Sequence, residues 1–417
     1  MLKKIFLLIL TFLVSCSKKL PPEGERSLVS FGGAQKVEKD VEADNYRVIL
    51  HDLNTDQNPE FLHEGRNKWI GSVGKVTTRA LLEVAPVFGG GKLYTMDITG
   101  SVIARDAETG VVAWSLSLVE DPPEYIVGGG LCYDHGVVFA AMPIGVLAAI
   151  DVRSGKELWR VKLDDAIRTA PVANANFVFT LTVSNKLICI DARTGKKLWI
   201  DEAQSTVNSV SGGPAPLLVG ADVIVGHTTG EISALRQENG HVHWRNTVRA
   251  ESEMLGLEEF LSWKADFKYQ EGSLYVVHPV GSVMSIDVRS GQVRWKVNTG
   301  HLSSVALGKN VLFAIDMIGR VVCLERIYGK VLWISQLPVY EDLMQKVKVP
   351  LHWFGPVIAG GKLWFSGTDG ALLEMEATNG KILTNTKLAT SAFYMPPTIA
   401  HNKLYLVTQN GEIFARR

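Results

Sequence analysis

An all-β fold, an eight-bladed β-propeller of four-stranded antiparallel blades, is predicted by three features of the 417-residue sequence. A unit of apolar strand, x-Gly turn, apolar strand, acid-x-x-x-Gly turn and Trp-bearing strand recurs along most of the chain. Its tryptophans fall at 114, 159, 199, 244, 295 and 333, with Thr384 in the seventh slot, at steps of 45, 40, 45, 51, 38 and 51 residues. A four-stranded blade takes about 40–45 residues, so the longer steps carry their excess in loops. Finally, the two ends of the chain complement one another.

The copies are KLYTMDITGSVIARDAETGVVAW (92–114), VVFAAMPIGVLAAIDVRSGKELW (137–159), FVFTLTVSNKLICIDARTGKKLW (177–199) and DVIVGHTTGEISALRQENGHVHW (222–244). They continue as SLYVVHPVGSVMSIDVRSGQVRW (273–295), VLFAIDMIGRVVCLERIYGKVLW (311–333) and KLWFSGTDGALLEMEATNGKILT (362–384). Apolar residues alternate with small or polar ones, as in half-buried strands. The second turn carries Gly110, Gly155, Gly195, Gly240, Gly291, Gly329 and Gly380, where a positive φ excludes a Cβ. Four residues earlier stand Asp106, Asp151, Asp191, Asp287, Glu325 and Glu376, with Arg236 as the exception. A carboxylate there accepts the turn's N–H groups, a structural role. Segments ahead of each copy, such as LEVAPVFGGG and TAPVANAN, supply the innermost strands.

The last copy, KLYLVTQNGEIFARR (403–417), ends after its third strand, and its missing partner stands at the other end as RNKWIGSV with Trp69. Trp69 precedes Trp114 by the same 45 residues. A strand donated from the N-terminal side closes the ring and removes a sheet edge. Turns at Gly100, Gly145, Asn185 (in place of Gly), Gly230, Gly281, Gly319, Gly370 and Gly411 then count eight blades within residues 61–417.

Ahead of the propeller, residues 1–15 (MLKKIFLLILTFLVS) read as a signal peptide: Lys3 and Lys4, then an apolar run too short for a mature membrane span. Leu13-Val14-Ser15-Cys16 reads as a lipobox, with Cys16 the acylated residue of a lipid-anchored protein. Ser17 in place of Asp favours the outer membrane by resemblance to sorted lipoproteins. Residues 16–60, rich in charged residues, Pro and Gly, read as a tether reaching about 35–40 Å.

Composition excludes several classes. The chain is 46% hydrophobic and 21% charged, with Lys+Arg equal to Asp+Glu, so nothing points to nucleic acid. Cys132, Cys189 and Cys323 sit in strands of different blades and read as buried free thiols. Gly89-Gly90-Gly91-Lys92 and Gly128-Gly129-Gly130 lack P-loop spacing and read as turns. His241 and His243 share a strand face without a third ligand, so no metal site is expected. No catalytic cluster and no cofactor site are legible.

The D-x-x-[ST]-G-x-x-x-W form, as in Asp151–Trp159, resembles the repeat of quinoprotein (PQQ) dehydrogenases. No two cysteines adjoin here, so the resemblance implies their fold and not their chemistry. Lipobox, tether and an eight-bladed propeller of this length together resemble the BamB-type lipoproteins of the outer-membrane β-barrel assembly machinery. That resemblance implies a non-catalytic scaffold on the periplasmic face of the outer membrane. Its implied partners are the POTRA domains of a BamA-like barrel protein and other lipoproteins of the assembly complex. It also implies a contact on two inter-blade loops, 205–216 and 249–267. In the first loop the resemblance points to Asn208, Val210 and Ser211, the last standing where the family usually has Arg. In the second, Ser262 and Lys264 stand where the family has paired acids, with Asp266 the nearest carboxylate, and the loop's own apolar residues add Trp263 as a candidate anchor. A periplasmic PQQ-dependent or ligand-binding propeller is the alternative.

Overall fold

The computed structural model describes residues 67–76, 84–120, 128–204, 213–247, 266–278, 281–299, 302–341 and 349–416. The expected signal peptide, Cys16 and the tether lie outside these residues. The described residues form eight four-stranded antiparallel sheets and no helix. The sheets run over 87–117, 130–162, 172–202, 217–247, 268–298, 302–336 and 353–387. The eighth combines Thr398–Ala400, Lys403–Val407 and Glu412–Arg416 with Asn67–Ser72 as its outer strand. Asn67–Ser72 pairs antiparallel to Glu412–Arg416, with Trp69 opposite Ala415, so the ring closes as the sequence predicts.

The repeat signature is a blade-to-blade joint. Each indole leans onto the glycine of the next blade's second turn. A Cβ added to Gly110, Gly155, Gly195, Gly240, Gly291, Gly329 or Gly380 would lie 2.5–2.9 Å from Trp69, Trp114, Trp159, Trp199, Trp244, Trp295 or Trp333 in turn. These glycines have φ between 69° and 75°, so both conformation and contact require glycine. The indole N–H of Trp69, Trp114, Trp159, Trp199, Trp244 and Trp295 donates to the carbonyl of Ala107, Val152, Ala192, Gln237, Val288 and Arg326, at 2.7–3.2 Å.

This joint explains two oddities of the sequence. Thr384 replaces Trp because the eighth blade's third and fourth strands are not joined by a turn, so no glycine platform faces the seventh blade. The residue paired with each Trp is small: Ala415, Ala104, Ala149, Cys189, Ala234, Ser285 and Cys323. Cys189 and Cys323 therefore serve as compact fillers without solvent exposure, in no disulfide. Opposite Thr384 the small residue gives way to Glu374, whose carboxylate accepts the Thr384 hydroxyl at 3.1 Å. Each strand pair carrying these positions has a bulge beside the Trp or Thr slot, which adds twist to the outer edge.

Eight buried apolar clusters lie among the described residues, each shared by two neighbouring blades. The turn acids act as expected: Asp106, Asp151 and Asp191 each accept the N–H three residues on, at 2.7–2.8 Å. With the hydroxyls of Ser154 and Thr194, the leading cause at Asp151 and Asp191, and that of Thr109 at Asp106, these hydrogen bonds hold all three carboxyls below the usual carboxylate range.

Candidate functional site

Both expected contact loops join the outer strand of one blade to the inner strand of the next. By strand alternation they emerge on the rim that also carries the turns between second and third strands. The first leaves the third blade after Lys197–Glu202 and returns through Gly213, Pro214, Ala215 and Pro216 to Leu217–Val219. The second leaves the fourth blade after Val242–Thr247 and returns at Asp266 to Lys268–Gln270. Asn208, Val210, Ser211 and Trp263 lie outside the described residues. Asp266 is exposed, directly before Phe267, which is buried in the core between blades four and five.

Between the two loops sits the fourth blade's turn, His227-Thr228-Thr229-Gly230. A chain of polar side chains ties it to the third blade. Arg245 donates to Asp201 of the third blade at 2.8 Å and pairs with Glu231 at 3.2 Å. Glu231 accepts the Ser233 hydroxyl at 3.2 Å, and Ser233 lies 3.2 Å from His227 Nε2. Deeper in, Arg168 is 1% exposed and donates to Asn185 Oδ1 at 3.2 Å and to the Gly226 carbonyl at 2.7 Å. Asn185 bridges onward to Thr228 and to the Gln204 carbonyl, the last described position before the first loop.

Burial dominates the electrostatics here. The Arg168 guanidinium is pushed down to about 10 by desolvation. Burial, then the charges of Arg168 and Arg245, push the His227 imidazole down to about 3. His227 is therefore neutral in the folded protein at every pH above that value, while in the unfolded chain it titrates near 6.5. Between these values the unfolded state binds the extra proton, so stability falls as pH falls through this window. At about pH 5 the loss is about 2 kcal/mol, at about 1.4 kcal/mol per pH unit. Denaturant unfolding at pH 7.5 and 5 should show this loss in the wild type and its absence in His227→Gln. Parallel pH slopes in the two proteins would refute it.

Asn185 was legible as the one departure from glycine among eight turns, yet its sequence signal carried no role. Arg168 and His227 gave no signal at all, since neither belongs to the repeat pattern. His243, on the outer strand, lies 3.0 Å from Asp222 and is 40% exposed, as on a solvated blade edge. Among the described residues, no group of three or more His, Cys, Asp or Glu side chains is placed to hold a metal ion.

The sequence model of the family described as outer membrane protein assembly factor BamB matches residues 99–335. An uncharacterised protein of Rickettsia prowazekii (strain Madrid E) is 27% identical over 351 residues, covering 84% of this chain and 82% of its own. The outer membrane protein assembly factor BamB of Yersinia pestis is 22% identical over 353 residues, covering 83% of this chain and 87% of its own. Among solved structures, BamB from Moraxella catarrhalis superposes with a TM-score of 0.69 at 19% identity, over 83% of this chain and 99% of that one. A europium-containing methanol dehydrogenase superposes at 0.62 with 15% identity, over 82% of this chain and 84% of that one.

Proposed function

Because the chain belongs to the family of the outer membrane protein assembly factor BamB, we propose that it is a non-catalytic scaffold of outer-membrane β-barrel assembly. In this reading Cys16 carries the lipid that anchors the chain to the periplasmic face of the outer membrane. The rim loops 205–216 and 249–267 hold the POTRA domains of a BamA-like barrel protein. The family match over residues 99–335 carries the reading. Two features support it. The lipobox and the tether suit a protein held near a membrane surface, and the two loops occupy consecutive inter-blade positions on one rim.

The test is affinity capture of the tagged protein from detergent-solubilised envelope. Co-purification of a BamA-like barrel protein, with an acylated Cys16 in the amino-terminal peptide by mass spectrometry, is the expected result. Saturable dye reduction with alcohol or sugar substrates on adding PQQ and Ca²⁺ would overturn the scaffold reading in favour of an enzyme.

A further inference from the structure

We infer that Asn185 and Arg168 are positioning residues for the partner-binding rim, fixing the end of the third blade at Gln204 against the fourth blade's turn at Thr228. The inference rests on the scaffold reading of that rim.

The first observation is the break in the repeat. Seven of the eight turns between second and third strands place glycine at φ of 76° to 99°. The third blade alone places a side chain there, Asn185 at φ 60°. Glycine takes this backbone freely, whereas asparagine carries strain, and strained positions persist where the side chain does something glycine cannot.

The Asn185 amide is used to capacity. It is fully buried. Its Oδ1 accepts from Arg168 Nη1 at 3.2 Å and from the Thr228 N–H at 3.2 Å. Its Nδ2 donates to the Gln204 carbonyl and to Thr228 Oγ1, each at 2.7 Å. Two donor hydrogens and two acceptor sites are all that an amide has. Three of the four bonds reach residues on the outer rim at the junction of blades three and four.

Among the described residues Arg168 forms no ion pair, and its Nε is buried without a hydrogen-bond partner. A buried arginine held this way is a poor device for stability. Its two bonds instead join the third blade's Asn185 to the fourth blade's Gly226. Adhesion of these blades is already supplied by Phe179, Leu181, Leu187, Val223 and Val225, and by the Trp199 joint. The polar network adds direction to a contact that the apolar cluster has made.

The test compares the full-length mature protein with Asn185→Gly, which restores the repeat, and with Arg168→Met. Hydrogen exchange read in peptides containing Gln204 and Thr228 should speed at least tenfold in both variants. Peptides from the sixth and seventh blades should be unchanged. The melting temperature of Asn185→Gly should fall, because relieved backbone strain does not offset the Arg168 and Thr228 groups left buried without their partner, so binding is compared per folded molecule. Binding of a soluble POTRA fragment of the BamA-like protein should weaken at least tenfold. Unchanged exchange at Gln204 overturns the inference whatever the fragment does. A faster exchange with undiminished binding also overturns it, because the fixed segment would then not serve the partner. Failure of the wild type itself to bind the fragment overturns the scaffold reading instead, while exchange still decides whether Asn185 fixes the segment.

Discussion

Trp69→Ala is expected to cost about 3–5 kcal/mol of unfolding free energy, the range for removing a large buried aromatic side chain. Trp69 is 9% exposed and sits on the strand that closes the eighth blade without a covalent link to its neighbour Glu412–Arg416, at the face turned to the first blade. Its indole covers Gly110 and lies with its centroid 5.9 Å from that of Tyr405. Three donors converge on the Ala107 carbonyl of the first blade: Trp69 Nε1 at 3.2 Å, Lys403 Nζ at 3.0 Å and the Tyr405 hydroxyl at 3.0 Å. Arg105 of the first blade reaches back to the Ser72 carbonyl at 2.6 Å. Losing the indole leaves a cavity at this seam. Deleting residues 61–75 should cost more, because it also bares the edge of Glu412–Arg416.

The graded variants sharpen the result. Trp69→Phe keeps a ring on Gly110 and loses one hydrogen bond, so about 1 kcal/mol is expected. Trp333→Phe should cost less still, because the Trp333 N–H is buried without a hydrogen-bond partner. Urea unfolding of the three variants measures the order. A Trp69→Ala protein that unfolds at the wild-type midpoint would remove this strand from the closure.

How much of this was readable in advance follows from what repeats. The Trp–Gly joint occurs seven times along the chain, so spacing alone exposes the blades, the turns and the closing strand. Thr384 could be seen as an exception but not explained, because its cause is a missing turn in another blade. The pairing of Cys189 and Cys323 with tryptophans depends on strand register, which the sequence constrains only through alternation. The network around Arg168 was invisible for a deeper reason. It joins residues 168, 185, 204, 226 and 228, which come together only when two blades pack. A lone buried arginine has no local pattern, and a lone asparagine in a turn reads as ordinary turn chemistry.

Val210→Glu combined with Trp263→Ala should abolish binding of the BamA-like partner, with at least a hundredfold loss of affinity, and leave the melting temperature within about 2 °C. Interfaces draw most of their energy from a few apolar or aromatic anchors, each worth about 2 kcal/mol or more on truncation. Two such anchors lost together account for the hundredfold, and a carboxylate placed in a desolvated contact adds to it. The described ends of the two loops make joint action physically reasonable. One begins after Gln204 and the other ends at Asp266, on the same rim, with only the His227–Gly230 turn between them. Asp266 is exposed there, so Asp266→Asn should weaken binding more at low ionic strength than at high, as a rim charge does. The opposite result is equally legible. If Trp263 covers the propeller rather than a partner, Trp263→Ala lowers the melting temperature by several degrees while affinity per folded molecule stays at the wild-type value, and the contact surface must then be sought on another part of the rim.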